Sequence, residues 1–197
     1  MTENSGSESF DIMIVGVGGQ GTILASNVIG EACLIENREV RSAETHGMAQ
    51  RGGSVETHIR IDGIYGPLIS SGEADLIISF DLLESLRYRH FLKDGGIIIS
   101  ASGIVVPVSA FANNLEIPSQ EWIKDQLSDV KLAVFDAEAA ALEAGNILTQ
   151  NIVMLGAAAH HIPLKKESLL EAVRKLVPKK TIDTNEKAFL LGFEKGA

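Results

Sequence analysis

Residues Gly16-Val17-Gly18-Gly19-Gln20-Gly21 constrain the fold more than any other stretch of this chain. They follow an apolar run, Phe10 to Val15, and lead into Thr22-Ile23-Leu24-Ala25, after which apolar residues recur at helical spacing as far as Cys33. The order is strand, glycine turn, helix. Glycine lets the backbone turn tightly and approach a phosphate closely, and the helix start offers N–H groups and a positive dipole end. This is the layout of a dinucleotide fingerprint. A turn of this kind names a fold better than it names a ligand.

The remaining pattern alternates strands and helices. Glu39 to Ala43 reads as a second strand, followed by a polar, glycine-bearing loop from Glu44 to Gly53. In Ser54 to Ile61, Val55, Thr57, Ile59 and Ile61 alternate with Ser54, Glu56, His58 and Arg60. Period two predicts one buried and one wet face, hence an edge or antiparallel strand. Ala74–Phe80, Ile97–Ser100 and Val130–Phe135 read as buried strands. Helices are expected over Leu82–Leu92, capped by Asp81, and over Ser119–Ser128, Asp136–Ala144, Thr149–His161, Lys165–Leu176 and Asp183–Phe193. The fold class is therefore α/β: a mainly parallel, twisted sheet with helices on both faces, in a single Rossmann-like domain over residues 10–197. Residues 1–9 lack a basic or apolar stretch and are expected to form a mobile tail.

Composition narrows the partners. A net charge of -9 without a basic patch argues against nucleic acid, and no apolar run is long enough to span a bilayer. A cytoplasmic setting is expected. The single cysteine, Cys33, fits a reducing compartment and cannot hold an iron–sulfur cluster, which takes four thiolates. Its expected place is an apolar helix face.

Ligands on such sheets collect at the C-terminal edge of the strands, where the glycine turn and the Glu44–Gly53 loop should meet. The candidate binding residues are Gly16, Gly18, Gly19, Gln20 and Gly21 in the turn, with Glu44, His46, Gln50, Arg51 and Gly52 in the loop. Glu44 stands about 20 residues beyond the turn, where an acid could hold a ribose hydroxyl. It could equally begin a polar loop. Arg51 suits a phosphate or carboxylate, and His46 can donate or accept near neutral pH. The same groups could instead pack on a partner surface. No nucleophile or paired base marks His46 as catalytic. His160 and His161 point to different helix faces and read as structural. Asp75, Asp81 and Glu84 read as capping or solvated carboxylates.

Three stretches carry a family resemblance: Gly-Val-Gly-Gly-Gln-Gly at 16–21, His-Gly-Met-Ala-Gln-Arg-Gly-Gly at 46–53, and Glu-Ala-Asp-Leu-Ile-Ile-Ser-Phe-Asp-Leu-Leu-Glu at 73–84. Together they resemble the gamma-type subunit or domain of 2-oxoacid:ferredoxin oxidoreductases, with the indolepyruvate enzymes the nearest branch. The resemblance implies a subunit of an enzyme that converts a 2-oxoacid, here an aryl pyruvate such as indolepyruvate, and CoA into an acyl-CoA and CO2 while reducing ferredoxin. It also implies that thiamine diphosphate and the iron–sulfur clusters belong to the partner subunit. This chain would help shape a CoA or substrate channel, and its glycine turn would be an inherited scaffold. On its own it would have no activity.

A free-standing nucleotide-binding enzyme, an NAD(P)-dependent dehydrogenase, is the competing reading. It would need an acid–base group in a substrate pocket that no second domain supplies. An adenylating enzyme uses a similar turn, but no zinc-binding cysteine pairs stand in this sequence.

Overall fold

The computed structural model describes residues 9–46, 52–106 and 116–196. The tail expected over residues 1–9 lies outside them except for Ser9, and so do Gln50 and Arg51. Six strands form one sheet: β1 Phe10–Val17, β2 Val40–His46, β3 Ser54–Ile61, β4 Ala74–Ser79, β5 Leu92–Ala101 and β6 Lys131–Phe135. Their spatial order is β2-β3-β1-β4-β5-β6. β1, β4, β5 and β6 run parallel, and β3 runs antiparallel to both β1 and β2.

Alternation along β1 divides the core between two faces. Ile12 and Ile14 join a cluster covered by α1 (Thr22–Ile35), α4 (Ala137–Ala144), α5 (Gln150–Ala158), α6 (Lys166–Leu176) and α7 (Ile182–Lys195). Met13 and Val15 face the other way, with Leu82 of α2 (Leu82–Tyr88) and Ile123 of α3 (Gln120–Gln126). This fits helices on both faces of a largely parallel sheet. Cys33 lies in the first cluster with no exposed surface. Burial pushes its thiol up to about 12. α5 and α7 touch backbone to backbone, because a Cβ on Gly156 or Gly192 would collide with the main chain of the opposite helix.

Five expectations need correction. β2 runs three residues further than Ala43, so Glu44 and His46 are strand residues rather than loop residues. Glu44 is exposed there because β2 is the outer strand and pairs on one side only. β3 is antiparallel as expected, yet it is not at the edge and has no wet face. His58 and Arg60 are buried. Arg60 is neutralised there by Asp11, with Nη2 to Oδ2 at 2.7 Å and Nε to Oδ1 at 2.9 Å. His58 Nδ1 accepts the Ile69 N–H at 3.1 Å. The helix expected to reach Leu92 ends at Tyr88, and Leu92 opens β5. The fourth correction is Glu84, which is buried rather than solvated. The helix expected to end at His161 stops at Ala158, and His160 packs on the Phe193 ring at 3.8 Å between centroids.

Candidate functional site

The turn after β1 closes largely on itself. Gly16 and Val17 complete the strand, and Gly19 and Gly21 take left-handed φ values of 109° and 83°. Such angles favour glycine. The Gln20 side chain folds back into the turn, where its Oε1 accepts the Val17 N–H at 2.7 Å and its Nε2 donates to the Phe80 carbonyl at 3.0 Å. A Cβ on Gly16 would stand 2.7 Å from that same Oε1. The Gln20 N–H donates to the Val17 carbonyl at 3.1 Å, and the Gly18 N–H donates to the Gly53 carbonyl at 2.8 Å. The amides of Val17, Gly18 and Gln20 are thus engaged within the protein. In a nucleotide fingerprint, amides of such a turn point at the ligand's phosphates. Gly21 is the N-cap of α1, and no side chain caps that helix start.

Gly53 and the start of β3 stand beside this turn. β2 and β1 are parallel and β3 antiparallel, so His46, Val17 and Ser54 lie at one edge of the sheet; His46 is opposite Val55, and Val17 is opposite Ser54. Gly52 is exposed, with φ of 74°. Glu44 is exposed on the outer strand, opposite Thr57. β3 separates it from β1, which puts β2 and β1 about 10 Å apart at ordinary strand spacing. A ribose-binding acid ends a strand directly beside β1.

Behind this edge Asp81 and Glu84, read from the sequence as capping or solvated carboxylates, join Ser54, Tyr88 and Arg87 in a polar cluster. The Asp81 carboxylate caps α2, accepting from the N–H of Leu83 at 2.8 Å and of Glu84 at 3.1 Å. Its other oxygen accepts the Val105 N–H. The Ser54 hydroxyl donates to Glu84 Oε2 and lies 2.9 Å from the Tyr88 hydroxyl. Arg87 Nε approaches Glu84 Oε1 at 3.3 Å. Burial raises the carboxyls of Asp81 and Glu84 above their ordinary values, against the opposing pull of their hydrogen bonds. A cleft of about 430 Å³ lies at the other end of the sheet, lined by Asp11, Arg60, Ile64, Tyr65 and Glu73 among others.

Cluster chemistry has no foothold here. Cys33 is the only cysteine, and it is sealed in the core. Among the described residues no group of three His, Cys, Asp or Glu is placed to hold a metal ion. No helix among them is long and apolar enough to cross a membrane.

The family model for pyruvate ferredoxin/flavodoxin oxidoreductase matches residues 11–195. The chain belongs to that family. Among its relatives, the indolepyruvate oxidoreductase subunit IorB of Pyrococcus horikoshii is 41% identical, over 94% of this chain and 95% of that one. The common gamma subunit of the pyruvate/ketoisovalerate oxidoreductases of Pyrococcus furiosus is 30% identical, over 94% and 96%. The gamma subunit of a keto/oxoacid ferredoxin oxidoreductase from Geobacter sulfurreducens shares the fold at a TM-score of 0.71 and 25% identity, covering 95% of this chain and 98% of the other. A 2-oxoglutarate:ferredoxin oxidoreductase from Magnetococcus marinus superposes at a TM-score of 0.74 over 96% of this chain but 31% of its own, at 21% identity. In that enzyme the same fold is one portion of a longer polypeptide. Nothing in these likenesses supports the free-standing dehydrogenase reading. The pyruvate ferredoxin/flavodoxin oxidoreductase family accounts for all three motif stretches of the sequence.

Proposed function

We propose that this chain is the cluster-free subunit of a 2-oxoacid:ferredoxin oxidoreductase acting on an aryl pyruvate such as indolepyruvate. The end-to-end match to the Pyrococcus horikoshii subunit, at 41% identity, carries this reading. The single buried cysteine supports a division of labour in which the partner subunit supplies iron–sulfur clusters and thiamine diphosphate. Those groups catalyse oxidative decarboxylation and electron transfer to ferredoxin when bound. The role of this chain is to bind and to shape.

The sheet edge carrying Gly16, Gly18, Gly19, Gln20 and Gly21 is the face we assign to CoA or to the partner. Glu44, His46, Gln50, Arg51 and Gly52 belong to the same assignment. Three engaged amides favour a scaffold role for the turn over dinucleotide binding. Arg51 supplies the positive charge that a CoA phosphate would meet on an acidic protein. A cytoplasmic location accords with a soluble ferredoxin as acceptor.

Co-expression with the partner subunit tests the reading. The complex should reduce ferredoxin with indolepyruvate and CoA, and the purified chain alone should not. Turnover by the chain alone overturns it. Within the complex, Arg51→Ala should raise the Michaelis constant for CoA or lower co-purification. Wild-type behaviour of that variant at limiting CoA would remove Arg51 from the assignment.

A further inference from the structure

We propose that Glu84 is a positioning residue: it holds Ser54, and through Ser54 it fixes the sheet edge at which the glycine turn meets the start of β3. The role rests on the edge assigned above to CoA or the partner. Four contacts make a continuous path. Glu84 Oε2 accepts a hydrogen bond from the Ser54 hydroxyl. Tyr88, one helical turn along, stands 2.9 Å from the same oxygen. Ser54 directly follows Gly53, whose carbonyl accepts the Gly18 N–H at 2.8 Å. Ser54 also faces Val17 across the sheet, and the Val17 N–H is held by Gln20.

The placement of Glu84 is costly, which argues that it is retained for a purpose. Its side chain is 4% exposed, and a buried carboxylate is tolerated only with hydrogen bonds or a counter-charge. Both are present, from Ser54 and from Arg87. Asp81 on the same helix adds a second buried acid nearby, and Glu56 of β3 faces Tyr88. An apolar residue would fill the same site without these burdens. A hydroxyl tied to an anion is, however, held more strongly and in a narrower direction than one tied to a neutral group. The consequence is a start of β3 fixed from below by α2, while the turn is fixed to it from above.

The test uses the chain co-purified with its partner, and amide exchange on the isolated chain. Glu84→Ala should speed exchange of the Gly18 amide by about tenfold, because the acceptor at Gly53 is no longer held in place. It should raise the Michaelis constant for CoA, or lower co-purification, more than it lowers the turnover number. Glu84→Gln keeps an acceptor for Ser54 and should restore both readouts most of the way. Ser54→Ala cuts the same link without touching the helix and should reproduce Glu84→Ala if that variant folds poorly. Unchanged Gly18 exchange in Ser54→Ala and Glu84→Ala overturns the positioning role alone. Faster exchange with wild-type CoA use and assembly overturns the assignment of this edge, and the role of Glu84 with it.

Discussion

Asn151 Nδ2 donates to the Gly21 carbonyl at 3.3 Å, although the two residues lie 130 positions apart. The same amide nitrogen stands 2.6 Å from where a Cβ on Gly21 would be. Gly21 is therefore required twice, once by its left-handed φ and once by the first turn of α5 packed against it. Gly19 has the same backbone requirement but open space around it.

This contrast makes a comparative prediction. Alanine at either position should cost about 1–2 kcal/mol for the left-handed backbone. Gly21→Ala should cost more than Gly19→Ala, since Asn151 must also move. Urea unfolding of the two variants measures the difference. Equal midpoints would show that Asn151 yields freely.

The buried pair Arg60–Asp11 should behave as a unit. Asp11→Ala removes the two-point partner of a buried guanidinium, leaving it Glu73 at 3.5 Å beside the cleft, and should destabilise the fold by roughly 3 kcal/mol. Adding Arg60→Met should recover most of that loss, since two apolar groups replace two charges. A loss below about 1 kcal/mol for the single variant would mean that Glu73 and water compensate Arg60 once Asp11 is gone.

Glu84 also shapes the pH dependence. Its folded carboxyl is raised above 4.5, so the folded state holds the proton more tightly than the unfolded state. Its contribution to stability is full below the unfolded value and is lost as pH rises through the folded value. Glu84→Gln has no such loss. The melting temperature of Glu84→Gln relative to wild type should therefore be higher at pH 7 than at pH 4.5. Asp81 shifts in the same direction and is coupled to Glu84, so its own proton uptake weakens in the variant and adds to the difference in the same sense. A difference that is flat with pH refutes the assignment.

Cys33 should be chemically silent in the native protein. With its thiol pushed up to about 12, the thiolate fraction at pH 8 is on the order of one in ten thousand, and the sulfur is sealed in the core. A thiol reagent should label it only in denaturant. Rapid labelling of the folded chain would place Cys33 elsewhere.

The sequence made the strand–turn–helix unit and the alternation after it legible, because apolar periodicity and glycine act locally. Asp81 was legible as a cap for the same reason, since its partners are two and three residues away. Pairing across the sheet was not. The outer strand β2 is polar throughout its last residues, so its extension to His46 depends on hydrogen bonds to β3 rather than on any pattern of its own. Arg60 looked solvated because its partner Asp11 is 49 residues away. Glu84 looked solvated because Ser54, on a strand two places across the sheet from β4, is what it serves. At the candidate edge, the glycines were readable, but Gln20 closing the turn depends on the Phe80 carbonyl brought up by β4.

The four helices α4 to α7 all follow the last strand, and with α1 they cover one entire face of the sheet. A ribosome delivers β1 to β6 first, so Ile12, Ile14, Leu76 and Ile78 have α1 as their helical cover on this face until α4 to α7 have been made. The late helices then lock by close backbone contact at Gly156 and Gly192. Pairing with another subunit before that moment would have to work from a half-covered sheet.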